Sequence, residues 1–330
     1  MALLFCAKKS GIPIVACHVI HDMRPESETS KDVDCVTKIC NSLGIELRVE
    51  KVSAAQFQGN SENIYRYLRR EKLEAVAKSF ETDTEDGISY IATGHHADDQ
   101  LETLLMKICR GTGLDGLSGI AEKMFEGNQY ENAIFVRPML SVTKKEIYEI
   151  CKENNIDFVE DSTNKNTDFT RNAIREKVVP ILRELFPKCA EHSTSAAKAA
   201  RSAINLVDEK VDALHRFERM NFDPFQCIIR IEALQVSEDV VIYSWLRRAI
   251  ARLPSTTKID KINSTMYNQV IEAIRNRKHK KFIWTEKVTV LVDNFVTVQY
   301  ADGVGFIAKS NTIEFVDRQS VEKADQSVAD

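Results

Sequence analysis

No Cys-x-x-Cys pair occurs among the eight cysteines of this 330-residue chain, no apolar run reaches the length of a membrane span, and an excess of positive charge is missing. Each absence removes a class of function. Cys6, Cys17, Cys35, Cys40, Cys109, Cys151, Cys189 and Cys227 are scattered, mostly inside apolar patterns, and read as reduced, buried thiols. Without a spanning segment, and without the basic-then-apolar start of a signal peptide, the expectation is a cytoplasmic protein with no membrane partner. A formal net charge of −4 does not advertise a nucleic-acid binder, so RNA would have to be held by local basic patches. The length suggests two domains, one of them large enough to bury a substantial core.

What is present concentrates in residues 88–120. A short apolar, β-branched run ends at Gly94, and helical periodicity begins within three residues. Leu101, Leu104, Leu105 and Ile108 fall at i, i+3, i+4 and i+7, which predicts a helix over residues 97–109 with one buried stripe. Asp98, Asp99 and Glu102 cluster on the flank of its first turns, away from that stripe, at the carboxyl end of a strand where open α/β sheets place ligands. Acidic residues in a first helical turn also interact well with the helix dipole, and that plainer explanation stands beside the functional one. His95 and His96 directly before three carboxylates favour a site. Clustered carboxylates repel unless a cation sits among them, so Asp98, Asp99 and Glu102 are candidate ligands for Mg²⁺. On this reading Asp99 and Glu102 are exposed, and replacing them with amides should move the melting temperature little. The following GTGLDG matches a dinucleotide fingerprint only formally, because a helix precedes it instead of a strand. Arg110 to Gly113 reads as a helix end, with Gly111 as its C-cap, plus a loop.

Along the chain, residues 1–10 read as a helix, 12–21 as a buried parallel strand, 31–43 as a helix capped by Ser30 and stopped at Gly44, 45–52 as a strand, and 60–80 as a helix. This β-α-β-α order implies an α/β fold, a doubly wound parallel sheet in which the strand at Ile88 is the next member. Residues 134–140 are strand-like, and Ser141 or Thr143 opens a helix to Asn154. Arg171 and Arg175 stand at i, i+4 on one helix face, where their forks suit either phosphate or surface ion pairs. An Ala-rich stretch predicts a long linking helix, and a small α+β unit follows. The expected organisation is residues 1–187 as a catalytic domain, 188–220 as a helical linker, 221–310 as an RNA-binding domain and 311–330 as a flexible tail. Arg275, Arg277, Lys278, Lys280 and Lys281 form the densest basic run, either phosphate contacts or a solvated hairpin.

The run TGHHADDQLETLLMKICRGTGLDGLSGI, at 93–120, closely resembles the core motif of bacterial tRNA(Ile)-lysidine synthetases, in the N-type ATP pyrophosphatase superfamily. A second block, DSTNKNTDFTRNAIREKVVPILRELFP at 161–187, matches the family's Asp-x-Thr-Asn, Arg-Asn-x-Ile-Arg and Pro-x-Leu pattern. The loop HVIHDMRPES resembles its His-Val-x-His-Gly-Leu-Arg segment: His18, His21, Arg24 and Ser27 match, while Asp22 and Met23 replace Gly-Leu. The resemblance implies an adenine nucleotide alpha hydrolase-like fold, ATP and Mg²⁺ as cofactors, and tRNA(Ile) with a CAU anticodon and L-lysine as partners, with a homodimer as a candidate assembly. In such enzymes the C2 oxygen of the wobble cytidine attacks the α-phosphate of ATP, pyrophosphate leaves, and the lysine ε-amine displaces AMP. Carried over by motif, His95, Asp99, Glu102 and Arg110 are catalytic, His18, His21, Arg24, Gly94, Gly111 and Gly113 bind ATP, and Arg171, Arg175, Arg275, Arg277, Lys278, Lys280 and Lys281 contact tRNA.

Three rivals remain. Related tRNA thiolases depend on cysteine pairs that this chain lacks; a metal-dependent phosphohydrolase could use HHADD; and a degenerate relative could bind RNA without catalysis. The superfamily's Ser-Gly-Gly-x-Asp-Ser phosphate loop also has no counterpart, and residues resembling those just after it begin at Met1. The expectation is that Met1 is internal to a longer reading frame, and that these 330 residues alone neither adenylate tRNA nor bind ATP tightly.

Overall fold

The computed structural model describes residues 1–22, 25–53, 61–80, 89–125, 133–159, 169–218, 226–253, 262–285, 287–300, 304–309 and 312–317. The chain divides into two units, Met1–Arg201 and Ser202–Asp330, with the boundary inside one helix.

In the first unit, α1 (Ala2–Lys9) leads to β1 (Val15–His21), α2 (Glu26–Leu43) and β2 (Glu46–Val52), which runs parallel to β1. Gly44 ends α2 in the left-handed conformation expected of a helix stop, at φ 62°. The start of α2 differs from the sequence reading. The helix begins five residues before Lys31, behind Pro25, and the Ser30 hydroxyl donates back to the Glu26 carbonyl at 2.7 Å instead of capping. Glu26 and Glu28 fill the first turn, where negative charge suits the dipole.

After α3 (Ser61–Ser79), β3 (Ser89–Ala92) feeds α4 (Ala97–Cys109) and the short α5 (Leu114–Leu117). Then come β4 (Lys123–Phe125), β5 (Ala133–Val136) and α6 (Lys144–Glu153). Thr143, not Ser141, caps α6: its N–H donates to Glu146 Oε2 at 2.7 Å, and its hydroxyl accepts the Glu146 N–H at 3.2 Å. β3 pairs parallel with β5, and β4 joins β5 antiparallel. The α/β alternation and the parallel pairings match expectation. The single sheet does not: among the described residues β1–β2 and β3–β5–β4 are separately hydrogen-bonded, with α3 packed against β1, β2, β3 and β5. Then α7 (Thr170–Ala173), one π-helical turn (Ile174–Val178) and α8 (Val179–Leu185) form a continuous run before α9 (Cys189–Ala213).

The second unit packs α10 (Ile231–Gln235), α11 (Asp239–Ala251) and α12 (Ser264–Arg275) on an antiparallel sheet ordered β6 (Gln226–Arg230), β9 (Phe295–Tyr300), β8 (Val288–Val292), β7 (Lys280–Thr285). Its core is apolar and continuous: Trp245, Leu246, Ile250, Val270, Ile274, Val290 and Val298 are all buried. Full burial of each such side chain stabilises by roughly 1.5–3 kcal/mol. β10 (Val304–Lys309) and β11 (Thr312–Asp317) form a hairpin, so a strand occupies part of the stretch expected to be a flexible tail. No helix among the described residues is long and apolar enough to cross a membrane.

Candidate active site

Four residues link β3 to α4, and backbone hydrogen bonds fix both ends of that link. Thr93 N–H donates to Val136 O at 3.0 Å and Ala97 N–H to Val142 O at 2.9 Å. The Thr93 hydroxyl meets His95 Nδ1 at 2.9 Å. Burial, with the guanidiniums of Arg137, Arg171 and Arg66, pushes the His95 pKa down to about 4 against the opposing pull of Asp99. The imidazole is therefore neutral near pH 7.

The three carboxylates of α4 are in the interior, contrary to the sequence reading of an exposed cluster. Asp98 is 3% exposed, Asp99 9% and Glu102 1%. Arginines of the α7–α8 run make this tolerable. Arg171 Nε donates to Glu102 Oε2 at 2.8 Å and its Nη2 to Asp99 Oδ1 at 2.9 Å. Arg175 Nε donates to Glu102 Oε1 at 2.7 Å and its Nη2 to Oε2 at 2.9 Å, which raises the pKa of Arg175. Asp98 accepts the Lys144 N–H at 2.6 Å and bonds Arg183. Burial pushes its pKa up, but the Lys144 N–H and Arg183 outweigh that and hold it below the ordinary range. Asp99 Oδ2 takes the His96 N–H at 3.0 Å.

Each of the six carboxylate oxygens thus already accepts a hydrogen bond. That arrangement does not fit Mg²⁺ on Asp98, Asp99 and Glu102, because a hard cation would need oxygens now held by guanidiniums and backbone. Among the described residues no group of three or more His, Cys, Asp or Glu stands where it could hold a metal ion. The assignment of Arg171 and Arg175 to tRNA is revised for the same reason, since their forks are spent on Asp99 and Glu102.

Other expected residues lie elsewhere. Arg110, Gly111 and Gly113 are at the far end of α4, with Arg110 roughly 16 Å along the axis from Asp99 at the usual helical rise. Arg110 is not brought together with His95, Asp99 and Glu102. Gly111 does take the left-handed turn past the helix, at φ +76°. A Cβ on Gly94 would meet nothing, so close packing does not demand glycine there. His18 and His21 stand in β1, with His21 edge-on to Tyr65 at 5.4 Å between ring centroids. Arg24 lies outside the described residues.

In the second unit, Arg275 is taken up by Asp239 at 2.6 Å and by the carbonyls of Gln235 and Ser237, which corrects its reading as a phosphate contact. Arg277 bonds Gln235 Oε1 at 2.9 Å, whereas Lys278, Lys280 and Lys281 are exposed. Sequence reasoning missed Arg183 and Arg137. Arg183 sits within the second matched block. Arg137 is the one charge in the apolar run IFVRPML, and a charge in such a run is itself a signal.

Residues 1–182 match the family model described as a PP-loop domain, and the chain belongs to that family. Its relatives narrow the class. It is 35% identical over 184 residues to the tRNA(Ile)-lysidine synthase of Bacillus cereus, covering 54% of this chain and 36% of that one. With the enzyme of the same name from Buchnera aphidicola subsp. Schizaphis graminum it shares 30% over 269 residues, covering 80% and 55%. With that of Thermotoga maritima it shares 35% over 195 residues, covering 57% and 43%. The match thus spans between 36% and 55% of the length of these curated relatives. Among solved structures, the U34-tRNA thiolase NcsA from Methanococcus maripaludis aligns with a TM-score of 0.47 at 13% identity, over 60% of this chain and 66% of that one.

Proposed function

We propose that the site serves ATP-dependent joining of L-lysine to C2 of the wobble cytidine in tRNA(Ile) with a CAU anticodon, through an adenylated cytidine. The observation that carries this reading is the guanidinium–carboxylate lattice of Asp99, Glu102, Arg171 and Arg175 beside a neutral His95. It unites the two sequence blocks that resemble lysidine synthetases.

The residues supply what the two steps need. Neutral His95, oriented by Thr93, can accept a hydrogen bond or proton from the attacking amine. Arg171 and Arg175 fix Asp99 and Glu102 beside His95, where the carboxylate charge can attract the lysine ammonium without any fork being released. No step is assigned to Mg²⁺, which the carboxylates as arranged do not fit. The phosphohydrolase alternative gains no support from the described residues, which offer no metal cluster. A non-catalytic tRNA-binding relative is the second reading, and the full occupation of the carboxylate oxygens favours it.

One experiment separates the two. Labelled lysine incorporation into tRNA(Ile) is followed with the 330-residue chain and with any in-frame upstream extension, each with ATP. ATP-dependent incorporation in either arm, abolished by Glu102→Gln, is expected. Tight tRNA binding with no incorporation in both arms would assign the chain to the second reading.

A further inference from the structure

The α7–α8 run has two faces. Its inner face is occupied: Arg171 and Arg175 bond Glu102, Arg183 bonds Asp98, and Val179 is buried. On the outer face Val178, Ile181 and Leu185 follow at i, i+3 and i+7, the spacing of a stripe that packs on something. These side chains are nevertheless open to solvent, with Val178 40% exposed, Ile181 58%, Leu185 65% and the adjoining Phe186 61%. Single exposed apolar residues are ordinary, but a contiguous group of them marks an interaction surface.

The flank of the stripe says what it fits. Lys177 and Glu184 are exposed, stand seven positions apart on the same side, and have no ion-pair partner among the described residues. When a second copy of α8 lies antiparallel across the stripe, about a two-fold axis between Ile181 and Leu182, Val178 of each copy meets Leu185 of the other and Ile181 meets Leu182. Residues on one flank then face each other, and Lys177 of each copy comes within roughly 3 Å of level with Glu184 of the other. A parallel pairing would instead oppose Lys177 to Lys177 and Glu184 to Glu184. We propose that this stripe joins two copies of the chain in an isologous, antiparallel contact between their α8 helices, closed by two Lys177–Glu184 pairs. The contact braces from outside the helical run whose arginines hold Asp98, Asp99 and Glu102. It does not depend on which reaction the chain performs. Two turns of helix bury less than the roughly 800 Å² per partner of a standard interface, so the dimer is weak, with a Kd on the order of 10 μM.

The test is sedimentation equilibrium of the chain between about 1 and 200 μM. The expected result is a reversible rise from monomer toward dimer mass. Ile181→Glu should weaken association roughly tenfold or more, with an unchanged circular dichroism spectrum because the side chain is exposed. Lys177→Glu should weaken it too, by setting like charges against each other, and the double variant Lys177→Glu with Glu184→Lys should restore it. If Ile181→Glu does not fold, the charge reversals carry the test. A monomer throughout the range overturns the proposal, and a lowered denaturation midpoint in Ile181→Glu would then assign the stripe to cover within one chain. A dimer indifferent to Ile181→Glu, or one that the double reversal fails to restore, uses another surface or orientation and overturns it equally.

Discussion

Glu102 shows how burial changes the meaning of a residue. As an exposed group near a helix start it would contribute about 1 kcal/mol, and the amide would be harmless. At 1% exposure, with both oxygens held by Arg171 and Arg175, it is half of a buried ion cluster. Removing one partner of such a cluster costs roughly 3–5 kcal/mol, because the other is left uncompensated. Glu102→Gln should therefore lower unfolding stability by several kcal/mol in a denaturant titration. An unchanged midpoint would return the residue to the surface. His95 gives a prediction with a sign. Its folded pKa of about 4 lies below the ordinary 6.5, so the unfolded chain binds the extra proton between those values. Its contribution to stability is full above pH 6.5 and is lost as pH falls toward about 4. In His95→Gln that part of the pH dependence should disappear; an identical profile would contradict the assigned environment.

At the scale of elements, the segment from Ser118 to Glu122 is pinned from four sides. Gln100 Oε1 accepts the Ile120 N–H at 2.6 Å, Lys107 reaches Gly119 O at 3.2 Å, and Arg201 and Arg137 hold Ser118 O and Ala121 O. Gly119 has φ +61°, and a Cβ there would sit 2.6 Å from the Gln100 amide. Gly119→Ala should cost upward of about 1 kcal/mol from backbone strain alone, read as a lower denaturation midpoint, and a neutral result would mean that the Gln100 clamp is slack. α4 was legible because its period is local: the helix spans the residues the pattern assigns and Leu101 and Leu104 are buried, but the expected stripe stops there, with Leu105 half-buried and Ile108 exposed. The arginine partners of its carboxylates were not. Glu102 and Arg171 are 69 positions apart, and Asp98 and Arg183 are 85, distances at which no periodicity speaks. The π-helical turn between Arg171 and Arg183 was equally hidden, since a π turn has no residue signature of its own. The carboxylates themselves stand out in the sequence; their chemical state does not, because periodicity reports which face a residue occupies and not what covers it.

For the whole molecule, the two units carry different kinds of positive charge. In Met1–Arg201 the arginines of the α7–α8 run are bound to carboxylates; in Ser202–Asp330, Lys278, Lys280 and Lys281 remain exposed, although Lys278 approaches Glu272 at 3.6 Å. With a net charge of −4, the tRNA affinity proposed for this chain would have to come from such local patches. Replacing the three lysines by Gln should weaken tRNA binding and reduce its salt slope by up to about 0.9 for each phosphate no longer neutralised. An unaltered slope would leave the patch to solvent.

On the proposed reading lysine meets the activated cytidine at the lattice beside His95, and Arg171, which bridges Asp99 and Glu102, is the residue to replace. Lysine incorporation should be measured for Arg171→Lys and Arg171→Met in whichever form of the protein is active, with folding verified by circular dichroism. Folded variants are expected to incorporate essentially no lysine, because neither a point charge nor an uncharged thioether can replace a fork that joins two carboxylates. Folded variants working at the parent rate would contradict it.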